Sequence, residues 1–133
     1  MDTATIRFIG EIRTSYKTVA ECPGQARPNN GVSRIIVDPA MVSALKGIEN
    51  NSRIQVLYWF DEADRSVLQT VPRWSETKEK LGVFALRSPM RPNPIALSTV
   101  ELLKVEGNEL TVSALDCRDG TPLLDIKSYI DQP

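Results

Sequence analysis

The 133-residue chain contains no histidine, so its chemistry must come from carboxylates, hydroxyls, amides, guanidiniums or a bound cofactor. A Ser-His-Asp triad, a Cys-His dyad, an HExxH zinc helix and an imidazole proton switch are all excluded within the chain. Its two cysteines, Cys22 and Cys117, stand 95 positions apart with no CxxC pair. That spacing offers no zinc pattern and suits free thiols, so no metal is expected. Two segments carry the remaining promise. Residues 87–94, RSPMRPNP, hold three prolines and two arginines. Each proline fixes φ near about −65° and disfavours helix in the residue before it, so Arg87 and Arg91 ride on a stiff extended loop. Two guanidiniums held without ordering cost can grip a carboxylate or phosphate. The same spacing also serves a rigid crossover whose arginines pair with surface acids. Residues 116–122, DCRDGTP, place Asp119-Gly120 where a turn is favoured. The functional alternative has Asp119 gripping ribose hydroxyls or a cation while Gly120 lets a ligand approach the backbone. Asp125, between Leu124 and Ile126, reads either as pointing into a partly enclosed space or as pairing with a loop arginine.

Short strands must position these segments. Residues 6–13 alternate, with Ile6, Phe8, Gly10 and Ile12 on one face, as in a half-buried strand. Residues 53–60 put Ile54, Val56, Tyr58 and Phe60 on one face and Leu57 and Trp59 on the other, which predicts a central strand. Further strands are predicted at 33–37, 67–71, 82–86 and 98–105. Gly107-Asn108 predicts a tight hairpin into 110–115. Asp38 as cap, Pro39 at the first helical position and Gly47 as left-handed terminator predict a short helix over 40–46. Residues 74–80 have room for another helical turn. The pattern predicts a mainly β fold: a small, mostly antiparallel β barrel with one or two short helices, forming a single domain over 1–133. No GxGxxG or Walker loop is present. Long polar connections at 14–31, 61–65, 87–94 and 116–122 are expected to build the site.

The net charge of −1 conceals an uneven distribution. Residues 65–100 carry six basic and two acidic groups, whereas 101–133 carry three basic and seven acidic. A nucleic-acid binder usually presents a strongly basic domain; here there is one local basic strip, equally readable as a solvated surface. The N-terminal MDTATIRFIG has no signal-peptide pattern, and no apolar run approaches the roughly 18–20 residues that span a bilayer. No membrane association and a cytoplasmic location are expected.

Residues 82–98, GVFALRSPMRPNPIALS, and 115–129, LDCRDGTPLLDIKSY, strongly resemble the signature of the TsaA-like (YaeB-like) family. Supporting similarity runs through IGEIR at 9–13, PGQ at 23–25 and LYWF at 57–60, so it covers nearly the whole chain. The family includes S-adenosylmethionine-dependent enzymes that N6-methylate threonylcarbamoyladenosine beside the tRNA anticodon. The resemblance implies a small S-adenosylmethionine-binding barrel that works as a homodimer, with tRNA as a candidate partner. It also implies cofactor contacts at Gly24, Gln25, Ala26, Phe60, Asp61, Arg87, Leu97, Asp119, Gly120, Thr121 and Pro122. The loop residues Arg91 and Asn93 are expected on the substrate. No catalytic residue is assigned; Asp61 and solvent are the candidate bases. The chain departs from the family pattern at Gly24, often arginine in relatives, and at Asp61, usually histidine. It also has Leu86 for a usual threonine and Ala96 for a usual glycine. Longer bacterial relatives continue into a C-terminal domain expected to help engage tRNA, and the resemblance here covers the barrel alone. Two other readings follow from the same residues: a methyltransferase acting on a small molecule or another RNA, and a non-catalytic S-adenosylmethionine-binding module.

Overall fold

The computed structural model describes residues 2–23 and 31–130. Its strands, in chain order, are β1 (Gly10–Arg13), β2 (Val32–Val37), β3 (Arg53–Trp59), β4 (Gln69–Thr70), β5 (Leu81–Gly82), β6 (Ile95–Glu106), β7 (Glu109–Ser113) and β8 (Thr121–Ser128). Six of them close into an antiparallel barrel in the order β1-β2-β7-β6-β3-β8, while β4 and β5 pair as a small separate ribbon. The expected β barrel is therefore present. Alternation fills it: Ile12, Ile35, Ile54, Val56, Leu110 and Leu123 are fully buried, each at a position whose chain neighbours face outward.

The topology decides where the chemistry goes. Because neighbouring strands alternate in direction, the connections β1–β2, β3–β6 and β7–β8 all emerge at one end of the barrel. Their described parts include residues 14–23, 60–94 and 114–120. The far end holds the β2–β3 connection and the Gly107-Asn108 hairpin, whose glycine has φ +60°. Strand β3 sits between β6 and β8, as its two apolar faces predict.

Several expected elements are shorter or different. Residues 6–9 are not strand, and Ile6 and Phe8 are about half exposed, because pairing with β2 and β8 begins only at Gly10. Close strand approach explains that glycine: a Cβ there would lie 2.1 Å from the Ile36 carbonyl oxygen. Of 67–71 only Gln69–Thr70 is strand, and 82–86 becomes a 3-10 turn at Val83–Ala85 after Gly82. Arg91 draws that turn tight by donating to the Val83 and Leu86 carbonyls. Residues 74–80 contain no helix. The helix after Asp38 is a 3-10 segment, Pro39–Leu45, with Asp38 capping the Ala40 amide at 3.0 Å. Lys46 caps it, and Gly47, left-handed at φ +86° as expected just past the end, leads into the next turn, Ile48–Asn50.

A bulge in the β3–β8 ladder explains Asp125. The register passes from Tyr58↔Leu123 to Leu57↔Asp125, so the inward set of β8 changes from Thr121 and Leu123 to Ile126. Asp125 consequently stands half exposed at the edge of an open cleft of roughly 550 Å³, with Lys127 at 3.8 Å on the same strand rather than a loop arginine as its partner.

Candidate functional site

The loop-bearing end of the barrel has a buried polar floor. The Tyr58 hydroxyl lies 2.8 Å from Ser98 Oγ and donates to Asp116 Oδ1 at 3.1 Å. Burial and the Asp116 charge push its ionisation far above the ordinary tyrosine range, so it is a fixed neutral hydroxyl. Phe60 continues β3 inward and meets the Tyr58 ring edge-on at 5.5 Å. Cys117 is buried beside this floor; burial raises its thiol to about 12, so it is inert at neutral pH. Both cysteines are unpaired thiols.

Above the floor, Arg118 joins two walls. Its Nη2 donates to Asp61 Oδ1 at 2.8 Å and Oδ2 at 3.0 Å, its Nε faces Glu62 at 3.3 Å, and its Nη1 donates to the Asp119 carbonyl at 2.9 Å. The hydrogen bonds to Asp61 reinforce its positive charge against partial burial. The next residue, Asp119, accepts from the Thr14 amide at 3.0 Å and from Lys17 Nζ at 3.2 Å, with Arg13 at 3.6 Å. Burial alone would raise its carboxyl, but these donors outweigh it and hold the group below the ordinary value. Gly120 sits at φ +86°, a conformation that strains any side chain, and donates its amide to the Ile12 carbonyl at 2.8 Å. Thr121 is buried and donates its hydroxyl to the Arg118 carbonyl at 2.6 Å. Around this corner a cleft of roughly 470 Å³ is lined by Arg13, Thr14, Lys17, Val32, Arg34 and Asp119.

The proline-rich loop supplies the opposite wall. Arg65 stacks over Trp59 at 5.2 Å and donates to the Pro92 carbonyl at 2.7 Å and to Asn93 Oδ1 at 3.1 Å. Arg91 is turned inward to the Val83 and Leu86 carbonyls, so Arg91 and Asn93 both shape the loop. Arg87 is exposed, and Nη1 donates to the Leu97 carbonyl at a long 3.4 Å. Leu97 pairs with Leu57 on the outer face of β3 and β6, whereas Phe60 lies on the inner side.

The structure thus brings Phe60, Asp61 and 119–122 together, places Arg87 with Leu97 on the other side of the same sheet, and leaves Gly24, Gln25 and Ala26 outside the described residues. Among the described residues before them, Cys22 has its thiol raised by burial and by Asp116 and Glu21, with Arg118 opposing, so Cys22 itself lies near this corner. Sequence reasoning passed over Arg118, Arg65 and the Tyr58–Asp116 pair. Arg118 stands within the DCRDGTP string, but its partner lies 57 positions away and no local spacing announces such a pair. In chemical terms, this corner offers a carboxylate, an apolar ring and a glycine backbone, a set that fits the nucleoside part of S-adenosylmethionine, while the exposed guanidinium of Arg87 lies across the sheet from it.

Comparison with known proteins agrees with this architecture. A family model described as tRNA-methyltransferase O N-terminal domain matches residues 11–133. An S-adenosyl-L-methionine-binding protein of Archaeoglobus fulgidus is 47% identical over 124 residues, covering 93% of this chain and 88% of that protein. The tRNA (adenine(37)-N6)-methyltransferase of Escherichia coli is 35% identical over 139 residues, covering 98% of this chain and 59% of that enzyme. The crystal structure of TrmO from Pseudomonas aeruginosa superposes with a TM-score of 0.73 at 33% identity, covering 97% of this chain and 57% of that one. The chain therefore spans somewhat more than half the length of these two longer relatives.

Proposed function

The chain belongs to the tRNA-methyltransferase O N-terminal domain family, and from that premise we propose that it catalyses S-adenosylmethionine-dependent methyl transfer to N6 of threonylcarbamoyladenosine beside the tRNA anticodon. The observation that carries this reading is the meeting of Phe60 and Asp61 with 119–122 at the loop-bearing end of the barrel, tied by Arg118. S-adenosylmethionine supplies an already activated methyl group, so the protein's task is alignment. Positioning alone can contribute up to about 7–11 kcal/mol. Asp119, kept ionised by Thr14, Lys17 and Arg13, is suited to ribose hydroxyls or the amino group. Gly120 and Thr121 give close backbone approach and a fixed edge, Pro122 follows them into β8, and Phe60 offers an apolar face. Arg87 stands across the sheet from this corner, beside Leu97, and its contact with the methionine carboxylate rests on the family resemblance. Gly24, Gln25 and Ala26 complete the proposed contacts from the first loop.

Asp61 is poorly suited to be the base. Both of its oxygens already accept from Arg118, so neither is turned to an incoming substrate. Solvent is the better acceptor for the N6 proton, whose neighbouring carbonyl eases its removal. The basic strip of 65–100 lies largely in the β3–β6 connection, at the end where an anticodon loop must enter, and can meet its phosphates. Arg91 and Asn93 act on that substrate by fixing the loop's shape. A tRNA substrate also favours a cytoplasmic location.

We further propose a homodimer joined through the outer face of β3 and β6. That face exposes Ile95 and Leu97 beside half-buried Leu57 and Trp59, and Phe84 stands 86% exposed; such surfaces mark interaction sites. Leu97→Asp should leave a monomer in sedimentation, and a monomeric parent protein would overturn the dimer.

The main test incubates the protein with labelled S-adenosylmethionine and tRNA from a strain lacking the methyl mark, then digests the tRNA to nucleosides. Label in threonylcarbamoyladenosine is the expected result, and label confined to a small molecule would remove tRNA as acceptor. Calorimetric binding without transfer to any acceptor would select the non-catalytic module.

A further inference from the structure

We propose that Arg118 is a positioning residue, a planar three-way clamp that sets the gap between the 61–62 and 119–122 walls and so fixes the shape of the cofactor site. The inference rests on the cofactor reading above, which names Arg118 only as a tie between loops, and gives that residue a role of its own in setting cofactor affinity. Three observations converge on it. First, each guanidinium nitrogen has its own acceptor: Nη2 spans both Asp61 oxygens at 2.8 and 3.0 Å, Nε faces Glu62 at 3.3 Å, and Nη1 holds the Asp119 carbonyl at 2.9 Å. A rigid planar fork can meet such a set at once, whereas an ammonium is a point charge. Second, the clamp is anchored at its base. The Arg118 carbonyl accepts from both the Thr121 hydroxyl at 2.6 Å and the Thr121 amide at 3.1 Å, so the side chain leaves a fixed backbone. Third, among the described residues no strand ladder ties the two walls. Asp61 and Glu62 follow the end of β3, past the last β3–β8 pair at Tyr58↔Leu123, so no ladder hydrogen bond sets their distance from Asp119. At 21% exposure the Arg118 side chain is partly shielded from solvent, which favours a defined geometry over a loose surface ion pair.

The clamp makes cofactor affinity depend on a contact that need not touch the cofactor. Removing Arg118 or its main partner should break one shared element, so the two losses should not add.

The experiment is a double-mutant cycle by isothermal titration calorimetry with S-adenosylmethionine, using Arg118→Ala, Asp61→Asn and the double variant, with thermal melting of each in the absence of ligand. The expected result is a roughly tenfold or greater loss for Arg118→Ala, a loss of similar size for Asp61→Asn, and a double variant no weaker than the worse single. Arg118→Lys should remain weak, because one ammonium cannot meet all three acceptors. Should Arg118→Ala fail to melt cooperatively, Arg118→Gln keeps the stem and one donor and takes its place in the cycle. Unchanged affinity in the Arg118 variant, strictly additive losses, or full recovery with lysine would each overturn the clamp. Failure of the parent protein to bind S-adenosylmethionine would instead overturn the cofactor reading itself, and the clamp with it.

Discussion

At the end of the barrel where β2 hands over to β3, Met41, Leu45 and Ile48 lay apolar side chains against the core, while at the opposite end Arg13, Lys17 and Arg118 meet Asp61, Glu62 and Asp119. Both ends hold open clefts of comparable size, roughly 550 Å³ at the first and 470 Å³ at the second. Their linings differ in kind. Apolar burial is non-directional and roughly proportional to area, so the capped end can contribute stability without fixing any single group in place. Charge-assisted hydrogen bonds are directional, so the loop-bearing end can hold a few groups at set distances while adding less to the fold. One end holds the barrel shut and the other holds a geometry.

Three substitutions test that division, beginning with the largest effect. Leu45→Ala, at the capped end, should lower unfolding free energy by about 2–5 kcal/mol, the usual range for a buried leucine. Chemical denaturation reads the loss, and the protein that remains folded should bind S-adenosylmethionine as before. A parallel loss of affinity would show that the two ends are coupled. Tyr58→Phe, beneath the site, removes the hydroxyl shared by Ser98 and Asp116. Its stability cost should be smaller, about 1–3 kcal/mol, because buried partners are left without it. Here cofactor affinity should fall as well, since Asp116, in the segment that carries Arg118 and Asp119, loses the hydroxyl that holds its carboxylate.

Asp119→Asn should have the smallest effect on the fold at neutral pH, and its signature is pH dependence. The folded carboxyl titrates below its ordinary value, so the unfolded chain takes up the proton first as pH falls. The stabilisation from this group is therefore complete above about pH 4 and is lost as pH drops through the lower, folded value. Melting temperature against pH should fall less steeply in the asparagine variant over that acid window. Equal slopes in the two proteins would remove the assigned role of Thr14, Lys17 and Arg13 in holding the charge.

Much of this architecture was legible in the residues. Period-two alternation located most of β2, β3, β6 and β7, because a strand with one buried face cannot slip by one position without exposing its apolar set. The hairpin at Gly107-Asn108 and the Asp38 cap were legible for a similar reason, being made from neighbouring residues. The errors fell where distant contacts overrode local preference. Residues 82–86 look extended, yet the Arg91 guanidinium gathers the Val83 and Leu86 carbonyls into a turn. Asp125 departs from simple alternation because the bulge at Leu124, just before it, reverses the facing of its strand. Residues 6–9 alternate as a strand does, but β2 ends at Val37 opposite Gly10, and the ladder with β8 stops at Gly10↔Leu123 although β8 itself runs on to Ser128.

The candidate site divides in the same way. By itself the sequence determined the absence of imidazole chemistry, the β architecture, and the two strings that carry the family resemblance, since these depend on composition, period and local spacing alone. Only the tertiary structure decided that three loops share one end, because that follows from the strand order of a closed antiparallel barrel. It also decided that Arg87 and Leu97 lie across the sheet from Phe60, and that Asp61 is committed to Arg118. The physical reason is range: a pair 57 positions apart leaves no periodic trace in the chain, and only closure of the barrel brings its two members within hydrogen-bonding distance.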